Sequence, residues 1–321
     1  MSTLVIGHRG APGYRPEHTR SSYELALAQG VDAVEPDVVV SKDGVLVVRH
    51  ENEISTTTDV ADRPEFAARR VTKRFAGYEL TGWFTEDFTW DELSRLRCRE
   101  RLPKLRPDNT AYDGQEPMLR LRDVLELAAA ADRGVVVELK HAVYFASIGW
   151  DLPGLVAAEL HAAGWADGIH PLVIESFEST ALAQVREQGI VARYVYLLEA
   201  TGTPVDLALA QGRDAPTYAW TASPPGLDSL VGQVDGISVD KAFLTGATRP
   251  GTLVADAHAR GLLAYTWTCR PENTFLSRPY RRGGGKRAFG DYTGEWGMLR
   301  DLGVDGVFAD HPDLAVAVFR R

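Results

Sequence analysis

Five polar residues close or interrupt apolar runs within the first fifty positions of the chain. LVIGHRG puts His8 and Arg9 straight after an apolar run, VDAVEPDVVV carries Glu35 and Asp37, and GVLVVRH ends on His50. In a strand, positions i and i+2 point to the same face, so Glu35 and Asp37 would aim two carboxylates at one spot. Two anions in an otherwise apolar segment are tolerable mainly when a cation sits between them. Further along, VVVELK carries Glu138 and Lys140 at the same spacing, and LLAYTWT carries Trp267. Glu35, Asp37 and Glu138 would supply an oxygen-only ligand set, which suits a hard divalent cation, Ca²⁺ or Mg²⁺, more than zinc. His8, Arg9, His50 and Lys140 would ring that metal. Metal and cations would neutralise charge on a phosphoryl group, while one histidine removes a proton and the other donates one. The chemistry expected is cleavage of a phosphodiester.

The elements that must hold these residues alternate. Strands are expected at 4–8, 32–40, 134–140, 172–177, 192–198, 235–240, 262–268 and 305–310. Helices are expected at 19–30, 120–132, 152–164, 178–189, 250–261 and 294–303, several of them stopped by Gly. Strands alternating with helices make parallel βαβ units, and eight of them make a (β/α)₈ TIM barrel, whose active site forms at the C-terminal strand ends. GVLVVRH follows Val40 after only SKDG. That is too short for a parallel crossover, so this run must fold back antiparallel and carry His50 over the barrel mouth. Residues 51–117 break the rhythm and are expected to form an insertion after the second strand, capping the active-site end of a single domain spanning 1–321. Trp83, Phe84, Phe88 and Trp90 in it need something to bury against.

The chain has 321 residues, 45% of them hydrophobic, and a net charge of -9. The size suits one large barrel. The charge argues against nucleic acid as a partner, and no apolar stretch reaches the roughly 20 residues needed to span a bilayer. A first strand from about Thr3 leaves no room for a signal peptide, so the chain as written reads as cytoplasmic, or as periplasmic or secreted if it is a trimmed mature form. Cys98 and Cys269 read as unpaired structural thiols.

The motifs IGHRG, PEHT, VEPDVVVSKDGVLVVRHE, VVVELK, ESF, YTWT and GVDGVFADHP, in that order, resemble the glycerophosphodiester phosphodiesterase family, in its bacterial periplasmic-type branch. The resemblance implies a TIM barrel that hydrolyses small glycerophosphodiesters to glycerol 3-phosphate and an alcohol. It places the family's catalytic histidine and arginine on His8 and Arg9, and its second histidine on His50. Its metal carboxylates fall on Glu35, Asp37 and Glu138, its lysine on Lys140, and a tryptophan that packs against glycerol on Trp267. It implies that the substrate's own glycerol hydroxyl attacks phosphorus and that water then opens a cyclic phosphate, with His8 and His50 alternating as acid and base. Glu51 stands where the family usually has Asp, His18 where many members have Asn, and WTCRPE where W-T-V-N is common.

Several residues carry two readings. Arg9 and Lys140 contact phosphate, pair with the carboxylates, or do both. Glu17 either binds glycerol hydroxyls or holds the loop after the first strand. Phe177 is expected in the core or at the rim. His18, His141, His161, His170, His258 and His311 read as surface or capping residues, Asp310 as a turn residue ahead of His311 and Pro312, and RRGGGKR (281–287) as a solvated loop. A phospholipase D-like enzyme of the same fold, acting on lysophospholipids, would need an exposed apolar rim for acyl chains. A non-catalytic binding protein should have lost a histidine or a metal carboxylate, and none is missing.

Overall fold

The computed structural model describes residues 3–75, 78–246 and 252–320. Its strands are β1 (Leu4–His8), β2 (Ala33–Glu35), β3 (Asp37–Val40), β4 (Leu46–Val48), β5 (Val71–Phe75), β6 (Tyr78–Gly82), β7 (Gly134–Leu139), β8 (Leu172–Ser176), β9 (Arg193–Leu198), β10 (Gly236–Asp240), β11 (Leu263–Cys269) and β12 (Gly306–Ala309). From β7 to β12 each strand pairs parallel with the next. β12 pairs with β1, β1 with β2, and both β2 and β3 with β7, which closes the barrel.

The expected strand at 32–40 is one barrel strand broken in two at Pro36. Proline has no N–H to give to the ladder, so regular pairing lapses there. Its carbonyl still accepts from Glu138 N at 3.0 Å, which keeps the two halves in line. β4 pairs antiparallel with β3, Val38 facing Val48 and Val40 facing Leu46, as the short SKDG connection requires.

The barrel interior shows why chemistry collects at one end. One side chain from each of seven barrel strands forms a small apolar cluster: Ile6, Ala33, Val136, Val173, Val195, Tyr265 and Phe308. Because side chains on one face recur every second residue, the next inward positions are His8, Glu35, Glu138, Glu175, Leu197, Trp267 and Asp310. A plug of hydrocarbon is thus overlaid by a layer of mostly ionisable groups at the C-terminal strand ends.

Helices cover the outside. Arg20–Ala28 starts on Thr19, whose side chain accepts from Ser22 N, and buries Tyr23 and Ala26. Leu121–Ala130, Leu152–Ala162, Ser179–Glu187 and Tyr292–Asp301 lie where helical periodicity expects them. The expected helix at 250–261 is formed over Thr252–His258, and its first two positions fall outside the described residues. The large apolar cluster lies between these helices and the strands.

Residues 51–117 contain short 3₁₀ turns, the antiparallel β5–β6 hairpin and a brief helix at Trp90–Ser94. Trp83, Phe84 and Phe88 are buried, and Phe66 meets Phe88 edge-on at 5.0 Å. Both cysteines are buried and free. Residues 281–287 are exposed, with their backbone gathered by Asn273, which donates to the carbonyls of Arg282 and Gly285 at 2.8 and 3.0 Å. Among the described residues, no helix is long and apolar enough to cross a membrane.

Candidate active site

A cavity of about 780 Å³ opens over the C-terminal strand ends. His8, Arg9, Glu35, His50, Glu138, Lys140, Glu175 and Trp267 are all on its wall. The turn after β1 brings the first two into place. Arg9 adopts left-handed backbone (φ 58°), which few non-glycine residues do. Its amide then donates to Glu35 Oε2 at 2.7 Å while its guanidinium turns toward Glu17 and Asp37. Gly10 (φ 90°) continues the turn hard against the following helix, where a Cβ would meet the Ser22 backbone and hydroxyl.

His8 is fixed from behind. Its Nδ1 lies 2.7 Å from Asp310 Oδ1, and the other Asp310 oxygen accepts from Arg106 Nη2 at 2.6 Å and Arg270 Nε at 2.7 Å. Burial would raise the Asp310 carboxyl, but Arg270, Arg106 and His8 outweigh it and hold it well below the usual carboxylate range. An ionised Asp310 can only accept, so His8 carries its proton on Nδ1 and leaves Nε2 as the basic nitrogen. Burial, and next the charge of Arg9, lower the His8 pKa to about 4, so the ring is neutral at neutral pH.

His50 stands just past β4. Its Nδ1 lies 2.5 Å from Glu51 Oε1, and Arg101 from the inserted segment bonds the other Glu51 oxygen at 2.8 Å. Burial, then Arg9 and Lys140, lower its pKa to about 3.

The acidic residues divide into two groups. Oxygens of Glu35, Glu138 and Glu175 all lie within 4.8 Å of one another, and all three residues are buried. Burial followed by mutual repulsion raises the carboxyls of Glu35 and Glu175 well above their usual range. Burial takes Glu138 up to about 8. Glu35 Oε1 and Glu175 Oε2 have no hydrogen-bond partner among the described residues. Such orphaned oxygens in a pure oxygen set fit a hard metal ion, so this cluster could hold one. Asp37 is placed differently. It is fully buried behind the cavity wall, with Lys140 Nζ 2.9 Å from Oδ1 and His18 Nε2 2.8 Å from Oδ2. Burial raises its pKa, but Lys140, His50, Arg9 and His18 together hold it well below the normal value. Lys140 Nζ also lies 2.5 Å from Glu138 Oε1.

Glu17 is off the cavity wall as well. Arg101 grips both its oxygens, at 2.6 and 2.7 Å, and Arg9 adds a bond at 3.1 Å. Trp267 is on the wall, with its Nε1 donating to Ser238 O at 3.3 Å and its ring edge-on to Phe177 at 5.7 Å.

Two expectations need correcting. Asp310 is not a turn residue; it anchors His8 and is buried. His18 is not at the surface but fully buried, bridging Asp37 and the Tyr23 hydroxyl. His311 is the N-cap residue of the helix Pro312–Phe319, as its capping reading expects, and is buried between the rings of Tyr14 and Phe289. Glu175, Arg101, Arg106 and Arg270 escaped the sequence reading. For Glu175 the signal was present, an ionisable residue closing the apolar run LVIES. For the arginines there was none.

The model of the glycerophosphoryl diester phosphodiesterase family matches residues 8–314. A glycerophosphodiester phosphodiesterase of Arabidopsis thaliana is 31% identical over 95% of this chain and 82% of its own length. One from Treponema pallidum is 26% identical over 84% of this chain and 81% of its own. A solved structure of a phosphodiesterase from Oleispira antarctica, in complex with the product sn-glycerol-3-phosphate, superposes with a TM-score of 0.67 at 20% identity. The match covers 100% of this chain and 98% of that one, and at this identity it shows the shared fold. The chain belongs to the glycerophosphoryl diester phosphodiesterase family, a family of hydrolases.

Proposed function

We propose that the protein is a metal-dependent hydrolase of glycerophosphodiesters, releasing glycerol 3-phosphate and an alcohol. The observation that carries this reading is two histidines sharing one cavity with a cluster of buried carboxylates. The product bound in the Oleispira antarctica enzyme of the same fold supports the substrate class.

His8 Nε2, kept unprotonated by the Asp310 bond on Nδ1, takes the proton from the glycerol 2-hydroxyl as that oxygen attacks phosphorus. The bond from phosphorus to the alcohol oxygen breaks, and His50 gives that oxygen a proton. Glu51 and the anionic substrate favour the imidazolium that His50 needs for this step. A cyclic phosphate results. Water then attacks phosphorus and passes its proton to His50, while His8 returns its proton to the glycerol 2-oxygen. Arg9 and Lys140, both on the wall, contact the phosphoryl oxygens, and Trp267 packs against the glycerol carbons. Glu35 and Glu138, together with Asp37 through the oxygen that Lys140 leaves on turning to the phosphate, are the residues proposed to hold the cation, Ca²⁺ or Mg²⁺, which when bound supplies charge neutralisation at the non-bridging phosphoryl oxygens. Glu17, locked to two arginines, holds the loop after β1. Residues 51–117 cap this end of the barrel, supplying Arg101 and Arg106 to the site.

The test is turnover of glycerophosphocholine beside its analogue lacking the glycerol 2-hydroxyl. Release of glycerol 3-phosphate from the first, with cyclic glycerophosphate at early times, and no cleavage of the second are expected. Equal cleavage of both would remove the internal attack, and cleavage of neither would remove the substrate assignment.

A further inference from the structure

We propose that Glu175 is a ligand of the metal ion, a fourth carboxylate beside Glu35, Asp37 and Glu138. The inference rests on the reading that the site takes a divalent cation, and adds which residues hold it.

Glu175 closes β8, paired in register with Glu138 on β7, which is itself paired with Asp37 on β3. Three neighbouring strands therefore present carboxylates at one height of the barrel. Glu175 is 1% exposed and has no hydrogen bond or ion pair among the described residues, while Oε2 is fully shielded from solvent. An ionised carboxyl buried without a partner is costly, and native structures retain such groups where a cation compensates them. The cations at hand are engaged elsewhere. Lys140 Nζ is shared between Asp37 and Glu138, and Arg9 lies between Glu17 and Asp37. Arg270 and Arg106 are spent on Asp310.

The contrast with Asp37 sharpens the point. Asp37 has a cation or an imidazole against each oxygen. Glu175 has neither, yet an oxygen of it lies within 4.8 Å of oxygens from both Glu35 and Glu138, a spacing one ion can bridge. A ligand set enlarged by one carboxylate favours Ca²⁺, which accepts six to eight oxygens, over the smaller octahedral Mg²⁺.

The experiment is calorimetric titration of metal-free wild type and Glu175→Gln with CaCl₂ and with MgCl₂, alongside thermal melts with and without metal. Glu175→Gln is expected to lose at least about tenfold in Ca²⁺ affinity, more than it loses for Mg²⁺. Its metal-free melting temperature should equal or exceed that of wild type, because an unpaired buried acid is gone, and its metal-induced rise should shrink. Wild-type Ca²⁺ affinity in Glu175→Gln overturns the inference and leaves the metal reading standing. So does unchanged affinity with a raised KM for glycerophosphocholine, which would put Glu175 on the substrate. A wild type that binds neither ion removes the metal reading itself. Should Glu175→Gln not fold, Glu175→Asp draws the carboxylate back by one methylene, and the same weakening of Ca²⁺ binding is expected; unchanged affinity overturns the proposal.

Discussion

The two histidines are held by different kinds of structure. His8 belongs to the barrel wall: it ends β1, is 8% exposed, and leans on Asp310 at the end of the neighbouring β12. His50 belongs to an added arm: it follows β4, lies partly exposed, and leans on its sequence neighbour Glu51, which Arg101 of the inserted segment secures. The wall fixes one imidazole by a buried pair between two strands that are hydrogen-bonded to each other. The arm fixes the other by a local contact near solvent. A base that must present the same nitrogen in every cycle gains from the first arrangement. An acid that must acquire and lose a proton gains from access to water.

The largest expected effect removes both sides of that contrast equally. His8→Ala and His50→Ala should each lower turnover by roughly a thousandfold or more while leaving the melting temperature near that of wild type. A rate close to wild type in either variant would take that histidine out of the mechanism.

Next comes the difference between their supports. Asp310→Asn keeps the shape but lets the amide donate, so His8 is driven toward the wrong tautomer; about a hundredfold loss in kcat with little change in KM is expected. Glu51→Gln acts on a partly exposed pair, and a loss of about tenfold is expected. Steady-state kinetics of the two variants side by side decide the matter, and equal losses would erase the distinction between wall and arm.

The smallest effect concerns pH and stability. The His8 pKa is held to about 4 by burial and Arg9, against about 6.5 for a free side chain. The unfolded chain then accepts a proton that the folded state refuses. The stability linked to this site is therefore full above about pH 6.5 and is lost as pH falls through about 4, at most roughly 3 kcal/mol. His8→Asn should lose less stability than wild type across that window, measured by melting curves; parallel curves would contradict it.

Much of this site is legible in one rule: an apolar strand plugs the barrel with one inward side chain and presents chemistry with the next. His8, Glu35, Glu138 and Trp267 obey it, each two residues after a member of the interior cluster, and their places at the ends of apolar runs are what the sequence shows. Glu175 and Asp310 obey the same rule, following Val173 and Phe308. Asp310 was hidden because the His311–Pro312 pair that follows looked like a turn, whereas a proline at the first helical position starts the helix Pro312–Phe319. His18 shows another limit, since its burial depends on a bond to Asp37 across the turn after β1 that no local pattern announces. The arginines are least legible. Arg106 reaches Asp310 across 204 residues from a segment with little periodicity, and the partner of a long-range charge cannot be read from its own neighbourhood.

The central claim is that the strand-end carboxylates and the two histidines form one metal-dependent phosphodiesterase site. The most direct measurement is release of glycerol 3-phosphate from glycerophosphocholine by chelator-stripped protein, before and after Ca²⁺ or Mg²⁺ is returned. The account predicts negligible release without metal and recovery with it. Full activity in the stripped protein, with no metal bound by elemental analysis, would contradict it.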